Sequence, residues 1–290
     1  RLAVVDPGVP NAQVTAAAEG AGLFFAPDPS SQAVSSIGGN VAENAGGIHC
    51  LKYGLTVHNV TGLRAVDGEG DLIEVGGEAL DAPGYDLLAL LAGSEGNLGV
   101  ITRATLRLLP RPEVTETLLA AFGSVKAGAE AVSAIIGAGV LPAALEMMDR
   151  VVIDACEKYM ALGLPKADAL LLVEVDGGAE EAREARSAVE RILAACGATE
   201  VRIAGDDEER AKLWKSRKGA FAALASVLPD YYTMDGSIPR RALPEVLEQV
   251  YALGREYGMV IGNVFHAGDG NIHPCIFYDS AKAGELERSE

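Results

Sequence analysis

The triplet Pro110-Arg111-Pro112 divides the sequence into halves of different texture, and this break constrains the fold more than any other feature. Before it the chain is glycine-rich. Short β-like runs (Val57–Val66, Leu72–Val75, Val100–Leu109) alternate there with Gly, Asp and Pro turns. After it, strand and helix patterns alternate: strands at Thr115–Phe122, Leu141–Met148, Leu170–Asp176 and Val201–Ile203, and helices at Val125–Ile136, Asp207–Val227 and Leu243–Tyr257. The clearest helix spans 179–196, where Val189, Ile192, Leu193 and Cys196 share one face and Gly197 stands at the stop position. Val260–Phe265 and Ile272–Tyr278 read as a closing strand pair. The pattern predicts two domains, 1–111 and 112–290, the second an α+β layer with helices on one side of an antiparallel sheet.

Charge narrows the partners. Twenty-four basic against 41 acidic residues give a formal charge of −17, which repels phosphate backbones and anionic lipid, so nucleic acid is excluded as a partner. An anionic substrate stays possible, because one buried arginine outweighs diffuse surface charge screened over ~8 Å. Cys50, Cys156, Cys196 and Cys275 form no CxxC pair and no secreted disulfide framework, which points to a reducing cytoplasmic compartment. No apolar run is long enough for a transmembrane segment. The chain opens at Arg1 inside a strand-like run and stops at Glu290 in a helical pattern, as a piece of a longer protein would.

Ser36-Ile37-Gly38-Gly39-Asn40-Val41-Ala42-Glu43-Asn44-Ala45-Gly46-Gly47 is the strongest signal of the first half. Paired glycines permit φ > 0, and their missing Cβ lets an anion such as a dinucleotide pyrophosphate come close. Ser36, Asn40 and Asn44 add neutral donors. A pair of tight turns at a sheet corner explains the glycines equally well. The run is not a Rossmann fingerprint, lacking the strand–turn–helix context.

Ala26-Pro27-Asp28-Pro29-Ser30-Ser31 and the stretch from Ser35 to Asn59 resemble the FAD-contacting segment of the PCMH/vanillyl-alcohol-oxidase flavoproteins, and most closely glycolate oxidase flavin subunits. Gly93-Ser94-Glu95-Gly96-Asn97-Leu98-Gly99-Val100-Ile101-Thr102 is similar to a second motif of that family, on the adenine side of the cofactor. The resemblance implies a PCMH-type FAD-binding domain and makes Pro27, Ser36, Gly38, Gly39, Asn40, Gly46, Gly47, Gly54, Glu95, Gly99 and Ile101 FAD contacts. It also implies an N-terminal lobe, carrying a second FAD-phosphate loop, ahead of Arg1. His49 and His58 receive no role.

In the second half, Gly262 to Pro274 delivers His266 at the end of an apolar strand, reverses through Gly-Asp-Gly-Asn, and delivers His273 on the next strand. Two imidazoles so placed can share a divalent metal, with Asp269 or Asn271 fixing the ring tautomer. Two ligands leave such a site unfinished. A plain Asp-Gly hairpin with incidental histidines is the other reading. HAGDGNIH matches the HxGDGNxH signature of FAD-linked 2-hydroxy-acid dehydrogenases. That resemblance implies a metal (zinc, manganese or iron) on His266 and His273, completed by a glutamate beyond residue 290 beside a catalytic histidine.

Leu213 to Lys218 and Asp230 to Arg241 are also similar to glycolate oxidase flavin subunits. A carboxylate needs a planar, permanent cation, and the resemblance points to Arg217. A solvated arginine on a helix face is the bland alternative. Related 2-hydroxyglutarate dehydrogenases carry a lysine just before the aspartate corresponding to Asp235. Thr233 and Met234 stand there instead, which favours a small monocarboxylate. The resemblance implies oxidation of glycolate to glyoxylate with FAD, with partner subunits of a glycolate oxidase complex holding the protein at the inner membrane. D-lactate oxidation is the near rival, and a non-catalytic subunit keeping the FAD fold the distant one.

Overall fold

A computed structural model describes residues 1–79 and 84–290, which fall into two compact units, Arg1–Pro112 and Glu113–Glu290.

The first unit is built on a four-stranded antiparallel sheet in the order Leu2–Val5, Val100–Arg107, Val60–Val66, Leu72–Gly76. Ile37, Val41, Ala104 and Leu106 are completely buried in its apolar cluster, with Phe25, Val60, Leu63 and Leu91 around them. Full burial of a side chain the size of Ile37 contributes roughly 1.5–3 kcal/mol. Ile37 and Val41, four residues apart, anchor a six-residue helix, Ile37–Ala42, by its inner face. Ser36 starts it: its Oγ accepts from the Gly39 N–H at 3.2 Å.

That helix lies inside the glycine segment, where the sequence suggested only turns. Asn11–Ala18 is a second helix absent from the expectation. The expected strand Val57–Val66 begins instead as a 3-10 turn, Thr56–Asn59. Leu109 and Pro110 leave the strand before them and pair with Phe24 and Leu23.

The second unit carries seven antiparallel strands in the order Glu200–Ile203, Val114–Phe122, Ala169–Gly177, Ala144–Asp149, Val260–Phe265, Pro274–Tyr278, Asp230–Thr233. Its central strands Ala144–Asp149 and Ala169–Gly177 are buried along nearly their whole length. Such continuous burial requires cover on both faces, not the alternation of a one-sided sheet. Helix Val125–Gly137 packs on one face, where Gly128 meets Phe122, Met147 and Ala169. Helix Asp207–Lys218 covers the other: its Trp214 and Arg217 bond Glu174 and Glu146. Adjacent Glu146 and Met147 therefore point to opposite faces, and the expected one-sided layer is corrected to a two-sided one.

The helix expected over Asp207–Val227 breaks at Gly219 into Asp207–Lys218 and Ala220–Leu224. A Cβ at Gly219 would lie 2.8 Å from Met160 Sδ and 3.0 Å from the Lys215 carbonyl oxygen. Helix Arg150–Met160 was not expected; Asp149 caps it, accepting from the Val152 N–H at 3.1 Å. The last strand starts at Pro274 rather than Ile272, with Asn271–Ile272 pairing separately against Gly236–Ser237.

Candidate functional site

Sheet register gathers the polar groups of the second unit. Val264 pairs with Met148 and Phe265 with Met147, so the next step along both strands sets His266 opposite Glu146. On the other side, Asn263 pairs with Pro274, which sets His273 opposite Val264. His266, His273 and Glu146 thus share the sheet face under helix Asp207–Lys218. Trp214 and Arg217, three residues apart on that helix, point down onto it.

Two buried carboxylates receive them. Glu174 Oε2 accepts from Trp214 Nε1 at 2.6 Å and from Thr117 Oγ1 at 2.7 Å. Glu146, 1% exposed, uses both oxygens: Oε2 accepts from Arg217 Nε at 2.6 Å, and Oε1 bonds His266 Nδ1 at 2.7 Å. Arg217 is 3% exposed, which excludes a solvated helix-face arginine. Its Nη2 also lies 3.5 Å from His266 Nδ1. A buried guanidinium is tolerated here because a carboxylate neutralises it within hydrogen-bond reach.

The two imidazoles meet edge to face, ring centroids 5.2 Å apart. His273 Nδ1 lies 3.2 Å from the Val264 carbonyl oxygen and so carries the proton in the neutral ring. Both Nδ1 atoms are engaged, which turns the Nε2 edges away from Glu146 and the Val264 carbonyl. That is the arrangement in which imidazoles ligate a cation. Burial opposes protonation of His266, but the charge and hydrogen bond of Glu146 outweigh it and raise its pKa. Burial lowers the pKa of His273, and the neighbouring His266 adds to the effect. The turn between them needs Gly270 at φ 78°, where a Cβ would meet the Ile238 carbonyl oxygen at 2.3 Å.

The hairpin sequence offers Asp269 or Asn271 to fix the ring tautomer. Glu146 and the Val264 carbonyl hold that place instead; the Asn271 amide bonds Asp235 at 2.6 Å. Asp235 Oδ1 in turn sits 3.6 Å from His273 Nε2. Among the described residues no group of three or more His, Cys, Asp or Glu is placed to hold a metal ion.

In the first unit the glycines work by close approach. Gly38, Gly39, Gly46 and Gly47 are absent from the left-handed region, contrary to the φ > 0 expectation. A Cβ on Gly38 would lie 2.6 Å from Pro7 Cβ, on Gly46 2.7 Å from Cys50 Sγ, and on Gly47 2.3 Å from the Asp28 carbonyl oxygen. Left-handed backbone falls instead on Asn44, Gly54, Gly93 and Glu95, with Gly99 at φ 159°. Gly93 and Glu95 donate to the carbonyls of Val41 and Ala42, which docks the second motif on the end of helix Ile37–Ala42.

Pro27 joins through its carbonyl, which accepts from Asn11 Nδ2 at 3.0 Å. Ile101 stands apart from this cluster of turns, paired with Ala65 and packed on the apolar core. His49 bonds Asp28 at 2.9 Å, and His58 Nδ1 accepts from the Leu55 N–H. One observation points to a ligand: Asn40 is 3% exposed and its Nδ2 has no hydrogen-bond partner among the described residues, although buried amides are ordinarily satisfied. A polar cofactor against this cradle would supply the acceptor.

The described features and the comparisons agree on class. Residues 111–290 match the family model "FAD linked oxidases, C-terminal domain", and residues 1–76 match "FAD binding domain". The chain belongs to the FAD-linked oxidase family. It is 51% identical to "Glycolate oxidase subunit GlcD" of Escherichia coli (strain K12), over 100% of this chain and 58% of that protein. The protein of the same name from Bacillus subtilis (strain 168) is 41% identical over 99% and 62%. "D-lactate dehydrogenase" of Archaeoglobus fulgidus is 33% identical over 96% and 62%. Among solved structures, an alkyldihydroxyacetonephosphate synthase superposes with TM-score 0.77 at 18% identity, over 99% of this chain and 57% of that one. The 4-ethylphenol oxidase from Gulosibacter chungangensis follows with TM-score 0.74 at 17% identity, over 99% and 64%. The chain thus shares its fold with these two solved structures. The chain spans 58% of the length of the Escherichia coli relative.

Proposed function

We propose that the full-length protein oxidises a small 2-hydroxy acid, glycolate to glyoxylate, as the flavin subunit of a multi-subunit glycolate oxidase. Identity of 51% across the whole chain to a protein named as a glycolate oxidase subunit carries this reading. The site supports it chemically. FAD, when bound, supplies a two-electron acceptor, and a divalent cation supplies a Lewis acid for the substrate hydroxyl. Arg217 holds the substrate carboxylate with guanidinium hydrogens that Glu146 does not use. His266 and His273 supply two ring nitrogens as ligands for zinc, manganese or iron. The glycine cradle, with Asn40 and the candidates Pro27, Ser36, Gly38, Gly39, Gly46, Gly47, Gly54, Glu95, Gly99 and Ile101, holds the cofactor.

Relatives named for D-lactate oxidation support the second reading. One methyl group separates the two substrates, and a pocket discriminates it by only ~1–3 kcal/mol. No helix among the described residues is long and apolar enough to cross a membrane. We place the protein in the cytoplasm, attached to the inner membrane through its partner subunits. Screening the full-length protein against glycolate, D-lactate and 2-hydroxyglutarate with an artificial electron acceptor tests the reading. Turnover confined to 2-hydroxyglutarate, or none with any of the three, contradicts it.

A further inference from the structure

The geometry points to Glu146 as the positioning residue of this site. It sets which nitrogen of His266 carries the proton and the direction in which Arg217 points. The substrate and metal roles of those two residues rest on the function proposed above; the action of Glu146 on them rests on geometry alone.

Glu146 is held in the middle of a buried strand, and both of its carboxylate oxygens are committed. Arginine can only donate, so Oε2 must accept. Oε1, as part of the same carboxylate, also accepts, and the neutral His266 ring must therefore place its proton on Nδ1. Nε2 is left bare, able to take a cation or the proton of a substrate hydroxyl. The same bridge fixes the guanidinium by Nε, which turns the remaining hydrogens of Arg217 away from Glu146 and beside the His266 ring. One carboxylate thereby orients a cationic anchor and a nitrogen ligand from elements far apart in sequence.

Glu146→Gln tests this without changing the side chain's shape. The amide oxygen must face Arg217, because an NH2 group there would oppose a donor. The amide NH2 then faces His266 Nδ1 and requires it to accept. The proton moves to Nε2, and the ligand lone pair is lost.

The measurement uses full-length, metal-stripped protein with 15N-labelled histidine, at a pH where the ring is neutral. The nitrogen shifts of His266 report its tautomer, and flavin content and the melting curve report folding. Wild type should carry the proton on Nδ1 and Glu146→Gln on Nε2. Affinity for added zinc alone should fall ~10–100-fold in the variant, as for lost outer-sphere partners of metal ligands. KM for glycolate should rise as well as kcat fall, because a neutral amide oxygen holds the Arg217 guanidinium less strongly than a carboxylate. Glu146→Asp keeps an acceptor and should restore the Nδ1 proton.

An Nε2–H tautomer in wild type overturns the proposal, whether or not any variant folds. So does a folded Glu146→Gln protein with the wild-type tautomer and wild-type zinc affinity. If the tautomer switches as stated but no 2-hydroxy acid is oxidised by wild type, the positioning role stands and the functional reading fails.

Discussion

Arg217 takes a permanent charge to 3% exposure, bonded to Glu146 and lying beside the edge of His266. A lysine at this position offers a point charge on a flexible stem and cannot bond Glu146 and a substrate carboxylate in the same planar geometry. Arg217→Lys should therefore lower kcat/KM for glycolate by on the order of 100-fold, equivalent to about 3 kcal/mol for charged hydrogen bonds. Steady-state kinetics on flavin-replete variant checks it, and unchanged kinetics would return Arg217 to a structural ion pair. If the proposed metal and FAD roles hold, His273→Ala should give a folded, flavin-containing, inactive protein whose metal content falls, since the residues matching the FAD binding domain lie in the other unit. Elemental analysis alongside the absorbance spectrum reads both. Cys156 tests the interior beneath the site. Burial pushes its thiol up to about 11, against the opposing charge of Arg217. Only thiolate reacts, so Cys156 should stay unlabelled by thiol reagents near neutral pH until denaturant is added. Peptide mapping after labelling identifies the site, and rapid native modification would mean that this face of the sheet opens to solvent.

At the scale of elements, the glycine segment holds its fold by backbone approach. Gly47→Ala drives a Cβ into the Asp28 carbonyl at 2.3 Å, a contact with backbone that cannot rotate away. The expected cost is about 1–3 kcal/mol of stability from overpacking, with FAD occupancy reduced because Asp28 neighbours Pro27. Gly137→Ala has nothing within 4 Å and serves as the control. A melting temperature lowered equally by both would remove the special status of Gly47.

These elements also show how much the sequence made legible. Helices Ala179–Ala195 and Leu243–Tyr257 could be read because apolar periodicity, first-turn acids or proline, and a stop glycine all agree. Ile37–Ala42 could not: two of its six residues are glycine, the worst ordinary helix formers, and tertiary burial of Ile37 and Val41 overrides that propensity. The histidine pair and Arg217 were legible as motifs. Glu146 was not, because a lone glutamate in an apolar strand has no local signature. Its partners lie 71 and 120 residues away, brought together by sheet register and a covering helix.

For the whole molecule, the chain spans 58% of the length of its Escherichia coli relative, and the glycine segment and the histidine pair lie on separate units. We predict that the full-length protein is isolated yellow, whereas residues 1–290 alone retain FAD weakly and bind zinc only weakly. Stoichiometric FAD on the shorter chain would show that the cradle described here suffices. We propose that the flavin of the full-length protein takes electrons from a small 2-hydroxy acid. Anaerobic addition of glycolate to purified full-length protein, followed by the visible flavin absorbance, measures that step without any electron acceptor or partner subunit. Glycolate should bleach the flavin, with glyoxylate formed in equal amount to the flavin reduced, and should not bleach the Arg217→Lys and His273→Ala variants on the same timescale. Flavin that stays oxidised in the presence of both glycolate and D-lactate, in protein with its metal restored, would contradict it.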